Sequence, residues 1–273
     1  MTMLLAILFG ALVGFALGLT GGGGGVFAVP LLVFGLAVAP REAVGISLAA
    51  VGGTAFSGAL PRMLRQEIEL RTGVLFAISG MLGAPLGAYL STFVPGNVLL
   101  TLFALLMLVV AYRMWSKSKT PEVTIAPDRC GPDTDRATCQ RDEDGQLILT
   151  SKCARLLVLV GIATGLLSGM FGVGGGFVIV PALVLFSGMA IHRAVTTSLF
   201  VIVLISLSGF IAHLLSGNDF DWKLTIQFLV GGFAGMGLGS VVARKLNGPT
   251  LQKIFAIAVA LVAVFIVAKS TFI

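Results

Sequence analysis

The chain has 273 residues, 57% of them hydrophobic and 11% charged, with a net charge of +6 and a mean hydropathy of +1.04. A soluble domain carries roughly 25% charged residues, so composition excludes water as the main solvent. With no basic patch interleaved with aromatics, the net charge does not indicate a nucleic-acid partner.

Apolar blocks follow one another along the chain at about the 20 residues that a helix needs to cross a ~30 Å hydrocarbon core. No strand-like alternation appears, so helices rather than a barrel are expected. The first block, 3–19, has no Lys or Arg before it. A cleavable signal peptide wants a positive leader, so this block is expected to be retained. Blocks at 26–39, 43–60, 73–94 and 97–115 complete a first membrane unit, 1–116. The polar stretch 117–152 mixes six basic with seven acidic residues and carries Pro121, Pro127 and Pro132. It reads as a solvated linker. Cys130 and Cys139 lie within it and Cys153 just beyond; their spacing fits no zinc motif, so ordinary reduced thiols are expected. A second unit, 153–273, holds blocks 154–170, 177–190, 194–215, 224–243 and 251–270.

The two units repeat each other. An offset of 151 places Gly14, Gly18, Gly21, Gly23, Gly24, Gly25 and Pro30 on Gly165, Gly169, Gly172, Gly174, Gly175, Gly176 and Pro181. Ala43-Val44 falls on Ala194-Val195, Ser47 on Ser198 and Ser57-Gly58 on Ser208-Gly209. Loop charge gives the orientation. The loop 61–72 holds Arg62, Arg65 and Arg71, whereas its counterpart 216–223 holds Asp219, Asp221 and Lys223. The next loop of the first half, 95–97, is uncharged, and its counterpart carries Arg244 and Lys245. Equivalent loops of opposite bias lie on opposite faces under the positive-inside rule, which makes the repeat inverted. The linker, flanked by Arg113, Lys117, Lys119, Lys152 and Arg155, is expected in the cytoplasm and both termini outside. Inversion needs an odd number of crossings per half. Five spans satisfy it, and so do three spans plus a re-entrant hairpin; the shortness of 26–39 and 177–190 leans toward the hairpin.

Thr20-Gly-Gly-Gly-Gly-Gly25 cannot be ordinary helix, since each Gly costs about 1 kcal/mol relative to Ala. Phe171-Gly-Val-Gly-Gly-Gly176 repeats the break. Freed backbone inside a bilayer is tolerated where it is buried in protein or lines a cavity. Glycine admits close approach to a ligand, and the helix restarting after each break presents the positive end of its dipole. Two such ends meeting would form an anion site with few charged side chains. Backbone donors are expected at Gly24, Gly25, Gly175 and Gly176, with Ser47, Ser198 and Thr197 orienting the ligand and Arg41 or Arg193 attracting it at a mouth. The glycines spaced by four, such as Gly10, Gly14 and Gly18, are expected to pack helices instead. Arg41, His192 and Arg193 stand at block ends, where snorkelling is the plainer role, and His213 is expected near the outer end of its span. With so few carboxylates, histidines and cysteines in the spans, neither a metal site nor a membrane enzyme is expected, and no cofactor.

Gly172-Val-Gly-Gly-Gly176, Pro181, Ala194-Val-Thr-Thr-Ser198-Leu199, Ser208-Gly209, His213 and Asp221-Trp222 together resemble the TauE/SafE family of sulfite and organosulfonate permeases. The first half repeats the pattern as Gly21–Gly25, Pro30, Ala43-Val-Gly-Ile-Ser47-Leu48 and Ser57-Gly58. Two departures stand out: Gly22 where the second half has Val173, and Gly45-Ile46 where it has Thr196-Thr197. The resemblance implies a multi-pass protein of a bacterial inner membrane that carries small sulfur-containing anions such as sulfite or sulfoacetate. Export is favoured, because an interior-negative potential drives anions outward; an importer of sulfonates and a passive anion channel are the alternatives.

Overall fold

In a computed structural model of the chain the described residues are 2–118, 140–141, 147–148, 151–187, 189, 191–216, 220–243 and 261–262. Among them the protein is helical, apart from a two-residue hairpin in the linker that pairs Gln140 with Ile148 and Arg141 with Leu147. The rest of the linker and most of the block 251–270 lie outside the described residues.

Helix α1 (Thr2–Thr20) ends at the first glycine run. A 3-10 turn (Gly23–Phe27), the single turn α2 (Ala28–Pro30) and a π-helical turn (Leu31–Gly35) follow. Helices α3 (Pro40–Leu64), α4 (Leu70–Phe93) and α5 (Gly96–Ser118) complete the first half. The second half holds α6 (Ser151–Phe171), α7 (Gly176–Ser187), α8 (Ile191–Leu215) and α9 (Trp222–Ala243). Among the described residues six helices (α1, α3, α4, α6, α8 and α9) are long and apolar enough to cross a membrane. Their outward faces expose large apolar side chains such as Leu4, Leu82, Leu86 and Leu238, which suits lipid rather than water. Helix α3 is longer than its apolar block, because Pro40 presets the first turn and Glu42 sits favourably at the positive end of the dipole. Helix α9 opens on Asp221, whose Oδ1 accepts the Leu224 amide at 3.0 Å.

Small residues set how the helices run. The glycines of α1 touch the backbone of α9 in register: Gly10 at Phe228, Gly14 at Gly232 and Gly18 at Met236. The same stretch of α9 meets α3 at Gly53 beside Leu229, Thr54 beside Gly232 and Gly58 beside Met236. Helices α1, α3 and α9 are therefore parallel. In the same way α6 runs parallel to α4, with Gly165 at Gly80 and Gly169 at Ala84. Helix α8 runs against α3, with Gly45 at His213, Gly52 at Ser206 and Gly58 at Leu199. The equivalent helices α3 and α8 thus lie antiparallel, the relation that an in-plane two-fold demands. The ends of α3 and α9 share one face, and the end of α8 with Asp221 lies on the other.

Two expectations change. Because α1 and α3 are parallel, residues 21–39 must carry the chain back across the full thickness, so this stretch is a broken crossing and not a re-entrant hairpin. Cys153 is disulfide-bonded, which overturns the expectation of reduced thiols there; its partner is outside the described residues.

Candidate functional site

The site is built by two glycine runs that cross inside the bundle. All of Gly21–Gly25 and Phe171–Gly176 are buried. Gly21 and Gly172, equivalent by the repeat, adopt φ of +70° and +71°. That left-handed conformation is one that a β-carbon disfavours, so only glycine ends α1 and α6 in this way at little cost. The runs lie antiparallel against each other. A β-carbon on Gly22 would sit 2.9 Å from the Gly176 backbone, and one on Gly25 would collide with the Val173 carbonyl. Gly25 and Gly174 both abut Val51, which lies near the middle of α3, and Gly174 further meets Ile202 and Ser206 near the middle of α8. Since α3 and α8 are each 25 residues long, the crossing falls at mid-depth of the bundle.

Each break is held by the other half. Ser47 Oγ donates to the Gly172 carbonyl at 2.5 Å, and Ser198 Oγ donates to the Gly21 carbonyl at 2.6 Å. The two bonds are images of each other under the repeat. They satisfy carbonyls that the positive φ turns out of their helices, and such groups have no water to bond in a bilayer. Ser198 Oγ also lies 2.8 Å from Val195 O, so its single proton is shared between the two carbonyls. The serine hydroxyls expected to orient a ligand are thus engaged as clamps between the halves. Thr20 supports the first break from below, donating to Ala16 O at 2.8 Å and accepting from the Gly23 amide at 2.9 Å.

The other expected residues divide. Gly24 backs onto Ala16 and Leu17 of α1, while Gly175 and Gly176 open α7. Thr197 is buried, and its Oγ1 accepts the Glu69 amide at 3.2 Å, so it docks the loop between α3 and α4. Thr196 does likewise, donating to Glu67 O at 3.0 Å. Arg41 is exposed and donates to Thr92 O at 2.8 Å and Val94 O at 3.3 Å, closing the C-terminus of α4. Arg193 is exposed in the first turn of α8. The described structure does not bring Arg41 to the glycine crossing. His213 is buried against Gly45 rather than standing free at a mouth.

Two buried hydroxyls escaped the sequence reading. Ser168 on α6 and Ser206 on α8 have side-chain oxygens that are buried and without a hydrogen-bond partner. The repeat could not reveal them, since an offset of 151 puts Leu17 and Ala55 in their places. Among the described residues the buried polar side chains are Ser, Thr and His213, with no carboxylate.

The sequence model of the "Sulfite exporter TauE/SafE" family matches residues 6–266. A "Probable membrane transporter protein" of Xylella fastidiosa (strain 9a5c) is 34% identical over 275 residues, covering 98% of this chain and 96% of that one. The Bacillus subtilis (strain 168) "Probable membrane transporter protein YunE" is 28% identical, with 96% of each chain covered. A relative from Methanocaldococcus jannaschii, "Probable membrane transporter protein MJ0441", is 26% identical over 79% of this chain and 73% of its own. No solved structure matches the chain.

Proposed function

The chain belongs to the sulfite exporter TauE/SafE family of membrane transporters, and on that footing we propose that it is a secondary transporter moving small sulfur-containing anions, such as sulfite or sulfoacetate, outward across the inner membrane. The observation that supports this most is the crossing of the two glycine breaks at mid-depth, with Gly22 seated on Gly176. Amides of Gly24, Gly25, Gly175 and Gly176 lie where helices restart, so partial positive charge gathers there without a buried cation. Oxyanions suit such a place, since their oxygens accept what amides and hydroxyls donate. Arg193, exposed at the start of α8, draws anions toward one mouth. A bundle without buried carboxylates among its described residues offers no acidic relay for a coupling proton. Export needs none: the membrane potential supplies about 2.3 kcal/mol per charge per 100 mV.

Purified protein in liposomes tests the proposal. Sulfite loaded inside should leave faster when a potassium diffusion potential makes the lumen negative, and with no response to sodium or proton gradients. Gly25→Ala, whose methyl would strike the Val173 carbonyl, should reduce that flux to background. Efflux that ignores the potential and follows a proton gradient would remove the uncoupled exporter.

A further inference from the structure

We propose that the anion is held on one side of the crossing only, by the hydroxyls of Ser168 and Ser206 beside the amides that open α7. This rests on the oxyanion reading above and says which residues of the crossing make the contact.

Helix α7 is twelve residues long and begins at Gly176. The turn before it, Gly174-Gly175, has φ of +70° at both residues. A β-carbon on Gly174 would lie 3.2 Å from Ser206 Oγ, and one on Gly175 would lie 3.5 Å from the Ser168 β-carbon. The Ser206 hydroxyl and the Ser168 side chain therefore approach adjacent residues of one turn, from α8 and from α6. Both serines are fully buried and neither oxygen has a partner.

That lack of a partner is unusual within this protein. A serine or threonine inside a helix ordinarily bonds back to a carbonyl one turn earlier. Buried Thr164 does so to Gly161 O at 2.9 Å, Ser79 to Phe76 O at 2.9 Å and Ser91 to Ala88 O at 2.7 Å. Ser168 and Ser206 forgo this bond, and both side chains lie against the glycine turn. A buried hydroxyl without a partner is costly, so a donor kept in that state is suited to a group that arrives from outside.

The first half has no counterpart. Its equivalent positions, Leu17 and Ala55, are apolar and buried, and the repeat-related serines Ser47 and Ser198 are spent on the clamps. The donors on the second side are all neutral and short. They suit a compact group with several oxygens on one atom, as in sulfite, a sulfonate head, sulfate or phosphate.

The test uses the purified full-length protein titrated with potassium sulfite, sulfate and phosphate, read by calorimetry and by thermal unfolding. Ser206→Ala and Ser168→Ala should each weaken sulfite binding by about ten-fold or more, the scale of one lost hydrogen bond to a charged group. Without ligand, both variants should unfold at the wild-type temperature or above it, because the substitution deletes an unpaired polar group. Ser206→Thr should keep the affinity, and Ser79→Ala, which loses only a back-bond, should leave binding unchanged. Variants that bind sulfite as tightly as wild type overturn the assignment and leave the proposed function standing. Ser206-dependent binding of sulfate or phosphate with none of sulfite upholds the assignment and removes sulfite as the cargo. Wild type that binds none of the three, or a Ser206-dependent response to sodium ion alone, overturns it.

Discussion

Ser47 and Ser198 show what a single hydroxyl does when its distant partner is a backbone carbonyl. Their equivalence under the repeat was legible in the sequence, but not their partners, because 125 and 177 residues separate donor from acceptor. Nothing in Ala43-Val-Gly-Ile-Ser47 says which carbonyl the serine will meet. Ser47→Ala would leave the Gly172 carbonyl unpaired, at a cost of about 1–3 kcal/mol. Thermal unfolding in detergent should show the loss as a lowered midpoint, with Ser198→Ala behaving alike. Because both bonds hold the same crossing, the double variant should depart from additivity, and an additive pair with no shift in either single variant would contradict the clamp. Ser168 and Ser206 were illegible for a different reason. Repeat equivalence picks out what the halves share, and these two are where they differ.

At the scale of helices, glycine spacing was the clearest signal in the chain. Gly10, Gly14 and Gly18 predict close packing, and the structure sets all three against α9 backbone. Gly14→Ala would push a methyl into the Gly232 carbonyl, which forces α1 away from α9. Overpacking of this kind costs about 1–3 kcal/mol, so the variant should give a lower unfolding midpoint. Gly237, on the same α9, has nothing within 4 Å of its would-be β-carbon. Gly237→Ala should leave the midpoint unchanged or raise it, since Ala is the better helix former by about 1 kcal/mol. Equal losses in both variants would mean that composition, rather than contact, governs these helices. The length of the apolar blocks misled on one element. Residues 26–39 are short for a span, yet the chain crosses there because the crossing already begins at Gly21 and its tight 3-10 turn, Gly23–Phe27, rises about 2.0 Å per residue against about 1.5 Å for an α-helix.

For the molecule as a whole, loop charge and helix direction agree. The ends of α3, with its Arg62 and Arg65, and of α9 share a face, and the end of α8 with Asp221 lies opposite, as the parallel and antiparallel contacts require. On the positive-inside rule we propose that the start of α6, and Cys153 with it, lies on the cytoplasmic side. A fluorescent protein inserted in the 117–152 linker should therefore fluoresce in cells, and a dark fusion would invert the assignment. Cys153 is disulfide-bonded, although such bonds are rare in a reducing cytosol. Non-reducing gels should show the bond, and Cys153→Ser should abolish it; a free Cys153 thiol in the untreated protein would contradict the structure.

The mirrored hydrogen bonds from Ser47 and Ser198 limit how such a bundle can move. A stiff rocking of one half on the other would tear both at once, deep in lipid, with no water to compensate. A cheaper motion releases one latch while the other stays shut, and then trades their states. Since the latches are near copies, the two poses would differ little in energy, and the cycle could idle between them until cargo or voltage tips it.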